Sequence, residues 1–115
     1  MTRVGLVQLS VDETESVADR VVRTLALSTD AAHHADIVML PELWPTGAFD
    51  LDLGLEHAQS IEGPLVAALS DVAATTGTWI HGGSFVELAG EDEYFNTSVI
   101  FNPQGDLVAS YRKIH

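Results

Sequence analysis

Cysteine is absent from the 115-residue sequence, and basic residues are scarce. Without cysteine the chain forms neither a disulfide nor a thiolate zinc site. Five Lys and Arg residues stand against 17 Asp and Glu residues, which gives a formal net charge of -12. This balance argues against a nucleic-acid backbone and against an anionic membrane surface, because both are bound by clustered cations. We therefore expect neither nucleic acid nor membrane as a partner.

Long hydrophobic runs and targeting signals are missing as well. No apolar run approaches the roughly 18 residues of a membrane-spanning helix. Residues 1–5 are too short for a secretory signal and lack its small-residue cleavage site. Hydrophobic residues nevertheless make up 46% of the sequence, which is enough for a packed core. These features predict a single domain over residues 1–115, located in the cytoplasm.

Strands and helices are predicted to alternate along the first part of the chain. Apolar runs predict strands at residues 4–9, 36–40, 79–88, 95–101 and 107–114. A helix is expected over about residues 13–34, begun by the Ser10-x-x-Glu13 spacing of a capping box. A second helix is expected between Gly63-Pro64, which suits an N-cap followed by proline at the first helical position, and Gly77, which suits a left-handed residue at the C-terminal end. The last two strands are expected to form a hairpin. A long connection covers residues 42–57. This order predicts an α/β fold with a partly parallel sheet.

Two details of this prediction concern burial. The first strand is mostly apolar, and we expect it to be buried on both faces. The first helix is expected to lay one apolar stripe on the sheet. That stripe consists of Val17, Val21, Val22, Leu25 and Ala32.

Glu42 and Lys113 both fall at the carboxyl ends of predicted strands, where open α/β sheets bind their ligands. Pro41 stops the strand before Glu42, because proline has no N–H to give to a ladder. A glutamate could accept a proton there, and a lysine could stabilise a developing oxyanion. A solvated surface salt bridge is the alternative, and it would contribute little. The spacing of the two residues leaves both interpretations open.

Other candidate sites have weaker support. The five histidines (His33, His34, His57, His81 and His115) form no ligand spacing with a carboxylate, so no metal or cofactor is predicted. The run 81–84 is similar to the oxyanion loop of esterases, but it would need a Gly-x-Ser-x-Gly elbow that the chain lacks. Gly82 and Gly83 are therefore interpreted as packing or bulge positions. The acidic run 90–93 lacks calcium-loop spacing, and no phosphate-binding glycine loop is present.

Segments along the whole chain resemble the N-terminal half of the carbon–nitrogen hydrolases, the nitrilase and amidase superfamily. Residues 35–42 are similar to the strand that ends in that family's general-base glutamate. Residues 111–115, Tyr-Arg-Lys-Ile-His, are similar to the segment that carries its catalytic lysine. Residues 82–84 and 95–98 are similar to the middle hairpins. The Pro-Glu pair is a weak signal alone, but the ordered match around it is strong.

The resemblance implies a fold and a chemistry. The fold would be the N-terminal half of a four-layer α-β-β-α sandwich, a mixed sheet with two helices on one face. The chemistry would be hydrolysis of non-peptide carbon–nitrogen bonds in small amides through a cysteine thioester. Glu42 would take the thiol proton, and Lys113 would hold the oxyanion. The family's cysteine lies on a later strand, so we expect a truncated domain that is inactive alone.

The substrate and the partners are predicted more loosely. Residues 43–47 resemble the loop of omega-amidase-like members, and Trp44 is predicted to contact a small amide or nitrile substrate. Half of the sandwich would leave an apolar sheet face open, which predicts a homo-oligomer. A non-catalytic pseudo-enzyme module, or one half of a split hydrolase completed in trans, is the alternative. A flavodoxin-like binding domain would need phosphate-binding loops that are missing.

Overall fold

The computed structural model describes residues 1–114. Its elements are β1 Val4–Leu6, α1 Val17–Ala32, β2 Ile37–Met39, α2 Leu51–Glu56, α3 Pro64–Thr76, β3 Trp79–Gly90, β4 Glu93–Phe101 and β5 Leu107–Arg112. This order confirms the predicted α/β class. His115, which ends the predicted lysine segment, lies outside the described residues. None of the described helices is long and apolar enough to cross a bilayer.

The five strands form one mixed sheet in the order β1-β2-β3-β4-β5. β1 pairs with β2 and β2 with β3 in parallel, whereas β3 pairs with β4 and β4 with β5 antiparallel. Helices connect the parallel strands, and hairpins connect the antiparallel ones, as their geometry requires. β2 and β5 therefore point in the same direction. Their carboxyl ends lie at the same edge of the sheet.

Helices α1 and α3 pack against the sheet and against each other. The register places Val38, Ile80 and Phe101 in one row of the sheet, and all three are buried. They join a core to which α3 contributes Leu65 and Leu69. This arrangement confirms the prediction of a mixed sheet with two helices on one face.

The other face of the sheet is largely uncovered. By register, Val4, Leu6 and Trp79 lie on this face together with Tyr111. Their exposed fractions are 53%, 75%, 42% and 60%. The prediction that the first strand is buried on both faces was therefore wrong. β1 is a short edge strand, and only Gly5 turns toward the helices.

The start of α1 differs from the prediction. The helix begins at Val17, and its N-cap is Ser16, whose Oγ accepts a hydrogen bond from the Asp19 N–H at 3.1 Å. The predicted capping box at Ser10 was wrong. The Asp12 carboxylate accepts from the backbone N–H and the hydroxyl of Thr14, at 2.9 and 2.6 Å. These bonds hold a turn ahead of the helix, because Asp satisfies nearby backbone donors readily.

The buried stripe of α1 agrees only in part with the predicted apolar stripe. Ala32 belongs to the core, and Val21 and Leu25 are partly buried against it. The buried residues are Arg20, Thr24, Ser28 and Ala32, whereas Val22 is exposed. The hydroxyls of Thr24 and Ser28 each donate to the carbonyl four residues earlier, at 2.7 Å. These polar groups can be buried because their own helix satisfies them.

The long connection between β2 and α3 contains a short helix that was not predicted. α2 spans Leu51–Glu56, and the Asp50 carboxylate caps it by accepting from the Leu53 N–H at 3.0 Å. Six residues are too few to show a helical period in a sequence. Farther along, Gln59 forms a parallel bridge with Glu87 of β3. The connection thus extends the sheet beyond the end of β2.

Helix α3 and the last hairpin agree with the prediction. α3 has Gly63 as its N-cap, a proline at its start and Gly77 as a left-handed C-cap with φ 64°. β4 and β5 pair antiparallel across the turn that contains Pro103 and Gly105. The acidic turn between β3 and β4 is shorter than predicted, since the strands continue to Gly90 and from Glu93.

Candidate active site

The structure brings Glu42 and Lys113 together at one edge of the sheet. Glu42 follows the end of β2, and Lys113 directly follows the last residue of β5. The Lys113 Nζ donates a hydrogen bond to the Glu42 Oε1 at 2.8 Å. The meeting of these two side chains depends on the parallel directions of β2 and β5.

A third residue, Asn96 of β4, completes the contact. Its Nδ2 donates to the same Glu42 Oε1 at 2.9 Å. Its backbone carbonyl accepts from the Lys113 N–H, also at 2.9 Å. Glu42 is therefore anchored through one carboxylate oxygen, and within residues 1–114 its Oε2 makes no hydrogen bond. Asn96 was not predicted from the sequence, because only the strand register shows that it faces Glu42.

Hydrogen bonds determine the ionisation of Glu42. The bond from Lys113, then the bond from Asn96 and the positive charge of Lys113, hold the pKa of Glu42 below its ordinary value of 4.5. The carboxylate is consequently ionised at neutral pH, the form that accepts a proton. The Lys113 and Glu42 side chains are 50% and 54% exposed. Water screens a pair this open, so its contribution to stability is small.

A bulge in β3 supports the turn that carries Glu42. The β3–β4 register shifts between His81 and Ser84, and Gly83 within the bulge has φ 62°. A Cβ at Gly83 would collide with the carbonyl oxygen of Pro41. Glycine is required here both by the backbone conformation and by the close approach. The interpretation of these glycines as packing or bulge positions is confirmed.

Ser84 holds the same turn from the other side of the bulge. Its N–H donates to the Pro41 carbonyl at 3.2 Å, and its Oγ accepts from the Leu43 N–H at 2.8 Å. Leu43 has a positive φ of 49°, which is uncommon outside glycine. The residues on both sides of Glu42 are therefore fixed by β3. This support explains how an exposed carboxylate keeps a defined position.

An open cleft of about 320 Å³ lies beside the pair. Its lining includes Glu42, Lys113 and Asn96 together with His81 and Tyr111. The His81 Nδ1 accepts from the Gly83 N–H at 3.1 Å, so a neutral imidazole carries its proton on Nε2. The cleft has the size of a small-molecule site, and its lining includes both charged and neutral hydrogen-bond donors.

Trp44 does not line this cleft. Its side chain is 4% exposed and belongs to the core, and its Nε1 donates to the Gly82 carbonyl at 2.9 Å. The observed contacts attach the loop after Glu42 to β3. The predicted contact between Trp44 and substrate stays a prediction, and packing accounts for the position of this side chain.

The other histidines lie elsewhere on the molecule. His33, His34 and His57 are exposed and follow the ends of helices. Among residues 1–114, no three His, Asp or Glu side chains group closely enough to hold a metal ion.

Fold and site together define an α/β protein with an ionised glutamate and a lysine at the carboxyl ends of two strands, the usual place for a ligand in such sheets. The family model described as Carbon-nitrogen hydrolase matches residues 3–115. The chain belongs to this family, and the resemblance seen in the sequence is confirmed.

Curated relatives agree with this assignment. The chain is 39% identical over 115 residues to a protein named 2-oxoglutaramate amidase from Paenarthrobacter nicotinovorans, covering 97% of this chain and 39% of the relative. It is 38% identical over 118 residues to the Homo sapiens protein named Omega-amidase NIT2, covering 98% of this chain and 40% of that protein. The chain thus spans about 40% of the length of these relatives. Their names identify amide hydrolysis as an activity within the family.

A solved structure shows the same fold. The crystal structure of Saccharomyces cerevisiae Nit3, described as a member of branch 10 of the nitrilase superfamily, matches with a TM-score of 0.84 and 28% identity. The match covers 99% of this chain and 44% of Nit3. The five-stranded sheet and its helices therefore correspond to part of a nitrilase fold.

Proposed function

We propose that this chain supplies the general base and the oxyanion-stabilising lysine of an amidase that acts on small carboxamides. The observation that carries the proposal is the 2.8 Å contact between Lys113 Nζ and Glu42 Oε1 beside an open cleft. Relatives named 2-oxoglutaramate amidase and omega-amidase support a substrate whose terminal group is a carboxamide.

The proposed reaction proceeds through a thioester. Glu42 takes the proton of a cysteine thiol, and the thiolate attacks the amide carbonyl carbon. The Lys113 ammonium stabilises the negative oxygen of the tetrahedral intermediate. The carbon–nitrogen bond breaks, and the nitrogen leaves as ammonia after it receives the proton from Glu42. Glu42 then takes a proton from water as that water attacks the thioester carbonyl carbon. The carbon–sulfur bond breaks, the sulfur receives the proton from Glu42, and the acyl group leaves as the carboxylic acid.

The nucleophile has to come from outside these residues, because the 115-residue sequence has no cysteine. We therefore expect the isolated chain to release no ammonia from 2-oxoglutaramate. Ammonia release by the purified chain that Glu42→Gln abolishes would contradict this expectation, because it would mean that the chain completes the site with its own residues.

A fusion tests the roles of the two residues directly. Residues 1–115 are joined to the part of the Paenarthrobacter nicotinovorans amidase that follows its matching segment, and ammonia release is measured. We expect turnover, with kcat lowered about 10²- to 10⁴-fold by Glu42→Gln. Lys113→Met should lower it about 10²- to 10³-fold. Glu91→Gln, in an exposed turn, is the matched control and should leave kcat unchanged. Full activity of the Glu42→Gln fusion would exclude the proposal.

The missing cysteine also motivates a second candidate function. A pseudo-enzyme module, or one half of a split hydrolase completed in trans, would keep the pair without a nucleophile on the same chain. The DNA downstream of the codon for His115 distinguishes these cases. An in-frame segment that carries a cysteine favours a continuous hydrolase, whereas a stop codon favours the second candidate.

We also propose that the isolated chain forms a homo-oligomer. The support is the open sheet face with the exposed side chains of Leu6, Trp79 and Tyr111, since apolar side chains left exposed on one sheet face favour association. Light scattering at micromolar concentration should report a dimer or a larger species. A monodisperse monomer would contradict the proposal.

A further inference from the structure

Glu87 of β3 is a buried carboxylate that the proposed chemistry does not use. Its side chain is 2% exposed. It accepts hydrogen bonds from the Thr97 hydroxyl at 2.7 Å and from the Arg112 Nε and Nη2 at 3.0 and 2.9 Å. A carboxylate can stay charged in such a place only when donors satisfy it. These contacts join β3, β4 and β5.

Apart from its backbone pairing with β4, strand β5 has few side-chain contacts that fix its position. All six of its residues are exposed, and it forms one edge of the sheet in the described part of the chain. Arg112 makes the only side-chain hydrogen bonds of β5 within residues 1–114, and they reach across β4 to Glu87 on β3. Its guanidinium also lies 4.4 Å from the centroid of the Phe95 ring on β4. The carboxyl end of β5 is thus clamped through Arg112.

The residue after Arg112 is Lys113. Successive side chains of an extended segment point to opposite faces, so Arg112 on one face places Lys113 on the other, where Glu42 lies. A slip of β5 by one residue would exchange the two faces and remove Lys113 from the cleft. The backbone ladder with β4, the turn between the two strands and side chains that lock the register all resist such a slip.

We propose that Glu87 is a positioning residue that acts through Arg112 to hold Lys113 against Glu42. Its catalytic meaning rests on the proposed function, but its geometry does not. Bidentate pairing of an arginine with a carboxylate fixes direction as well as distance, which a single contact would not do. The ion pair that Arg112 forms with the buried Glu87 carboxylate therefore sets the position of the Lys113–Glu42 pair.

The test is a carboxyl NMR titration of Glu42 in the 115-residue chain. Because the positive charge and hydrogen bond of Lys113 lower the pKa of Glu42, Lys113→Met should raise it and define the full effect. Glu87→Gln should raise it by about half of that effect or more, because Lys113 loses its fixed position. A long-range charge effect would act in the opposite direction, since removal of a negative charge lowers the pKa of a nearby carboxyl.

The chain offers a matched control. Glu15 also pairs with an arginine through two bonds, from the Arg23 Nε and Nη2, each at 2.8 Å. Glu15→Gln makes the same chemical change in another ion pair and should leave the pKa of Glu42 unchanged. An unchanged or lowered pKa of Glu42 in Glu87→Gln, with a wild-type pattern of amide resonances, would overturn the proposal.

Arg112→Lys keeps the positive charge opposite Glu87 but loses the planar guanidinium that donates two hydrogen bonds to it. It provides a second variant if Glu87→Gln does not fold. The pKa of Glu42 should rise in this variant too, and a wild-type value would overturn the proposal. The titration needs no turnover. An inactive fusion would therefore weaken the proposed function without affecting this result, and an unmoved pKa would leave the proposed function in place.

Discussion

Arg112 and Lys113 are consecutive residues, and each forms an ion pair with a glutamate, but the two pairs lie in different environments. The Arg112–Glu87 pair includes a carboxylate that is almost fully buried, and a hydroxyl and two guanidinium nitrogens donate hydrogen bonds to its two oxygens. The Lys113–Glu42 pair is half exposed on both sides and leaves one carboxylate oxygen without a hydrogen bond in the described residues.

The difference lies in what each pair can do. A buried carboxylate with both oxygens hydrogen-bonded is not accessible to a ligand, but losing its partners is costly, so it fixes structure. An exposed carboxylate with a free oxygen contributes little to stability but can still accept a proton. The exposed pair depends for its geometry on the buried pair and on the glycine bulge. The following predictions separate these contributions, from the largest effect to the smallest.

Gly83→Ala should have the largest effect, because it removes the backbone support of the exposed pair. A Cβ at φ 62° would be strained and would also collide with the Pro41 carbonyl. We expect the free energy of unfolding to fall by about 3 kcal/mol or more, measured by urea denaturation.

Gly77→Ala is the matched control for this change. Gly77 has φ 64°, but a Cβ there would meet no atom within 4 Å. Gly77→Ala should lower the free energy of unfolding only by the penalty of a left-handed backbone conformation, about 1–2 kcal/mol. Equal losses at the two positions would show that the approach to Pro41 carries no strain of its own.

The two glutamates should differ in their effect on stability. At pH 7 we expect Glu87→Gln to lower the free energy of unfolding by about 2 kcal/mol, because hydrogen bonds to a buried charge are lost. Glu42→Gln should change it by no more than about 0.5 kcal/mol, since that carboxylate is exposed. Similar losses for both variants would remove the distinction between the pairs.

Acidification should reduce the difference in stability between the wild type and Glu87→Gln. The hydrogen bond from Arg112 is the largest influence that holds the pKa of Glu87 below its ordinary value of 4.5. A depressed folded-state pKa gives stability that is fully present above 4.5 and is lost as the pH falls through the folded-state value. The wild type should therefore lose stability below pH 4.5 more steeply than Glu87→Gln. Parallel curves from urea denaturation would contradict this.

Asn96→Ala should have the smallest effect. The pKa of Glu42 should rise, because one hydrogen bond to its carboxylate is lost, but by less than in Lys113→Met. Stability should change little, since the variant also removes a buried Oδ1 that has no partner in the described structure. A carboxyl NMR titration checks the order. A larger rise in Asn96→Ala than in Lys113→Met would make Asn96, rather than Lys113, the main partner of Glu42.

The sequence predicted the features that depend on local patterns. Helix α3 was located from its glycine and proline signals, and the α/β class followed from the alternation of elements. Glu42 and Lys113 were identified as candidate site residues because both follow predicted strands. The segments around them also match, in the same order, segments of the carbon–nitrogen hydrolases. Helix α2 was missed because six residues do not show a period, and the start of α1 was misplaced because Asp12 satisfies a turn.

The residues that hold the two site residues in position could not be predicted from local sequence patterns. Asn96 and Glu87 are single polar residues within strands, and nothing adjacent to them in the sequence identifies their partners. Their roles follow from register, which pairs Glu87 with Phe95 and Thr97 with Arg112. The burial of β1 was misjudged for a related reason, because an apolar strand does not reveal whether its outer face is covered.

The sequential strand order has a consequence for how the sheet is assembled during synthesis. Every strand pairs with the strand made just before it, so the sheet can grow from one edge as the chain emerges. The contact between Glu42 and Lys113 spans 71 residues and closes only after β5 has been added. We expect local pairings to form early and this distant contact to form last. The geometry of the cleft would then report whether all five described strands have paired.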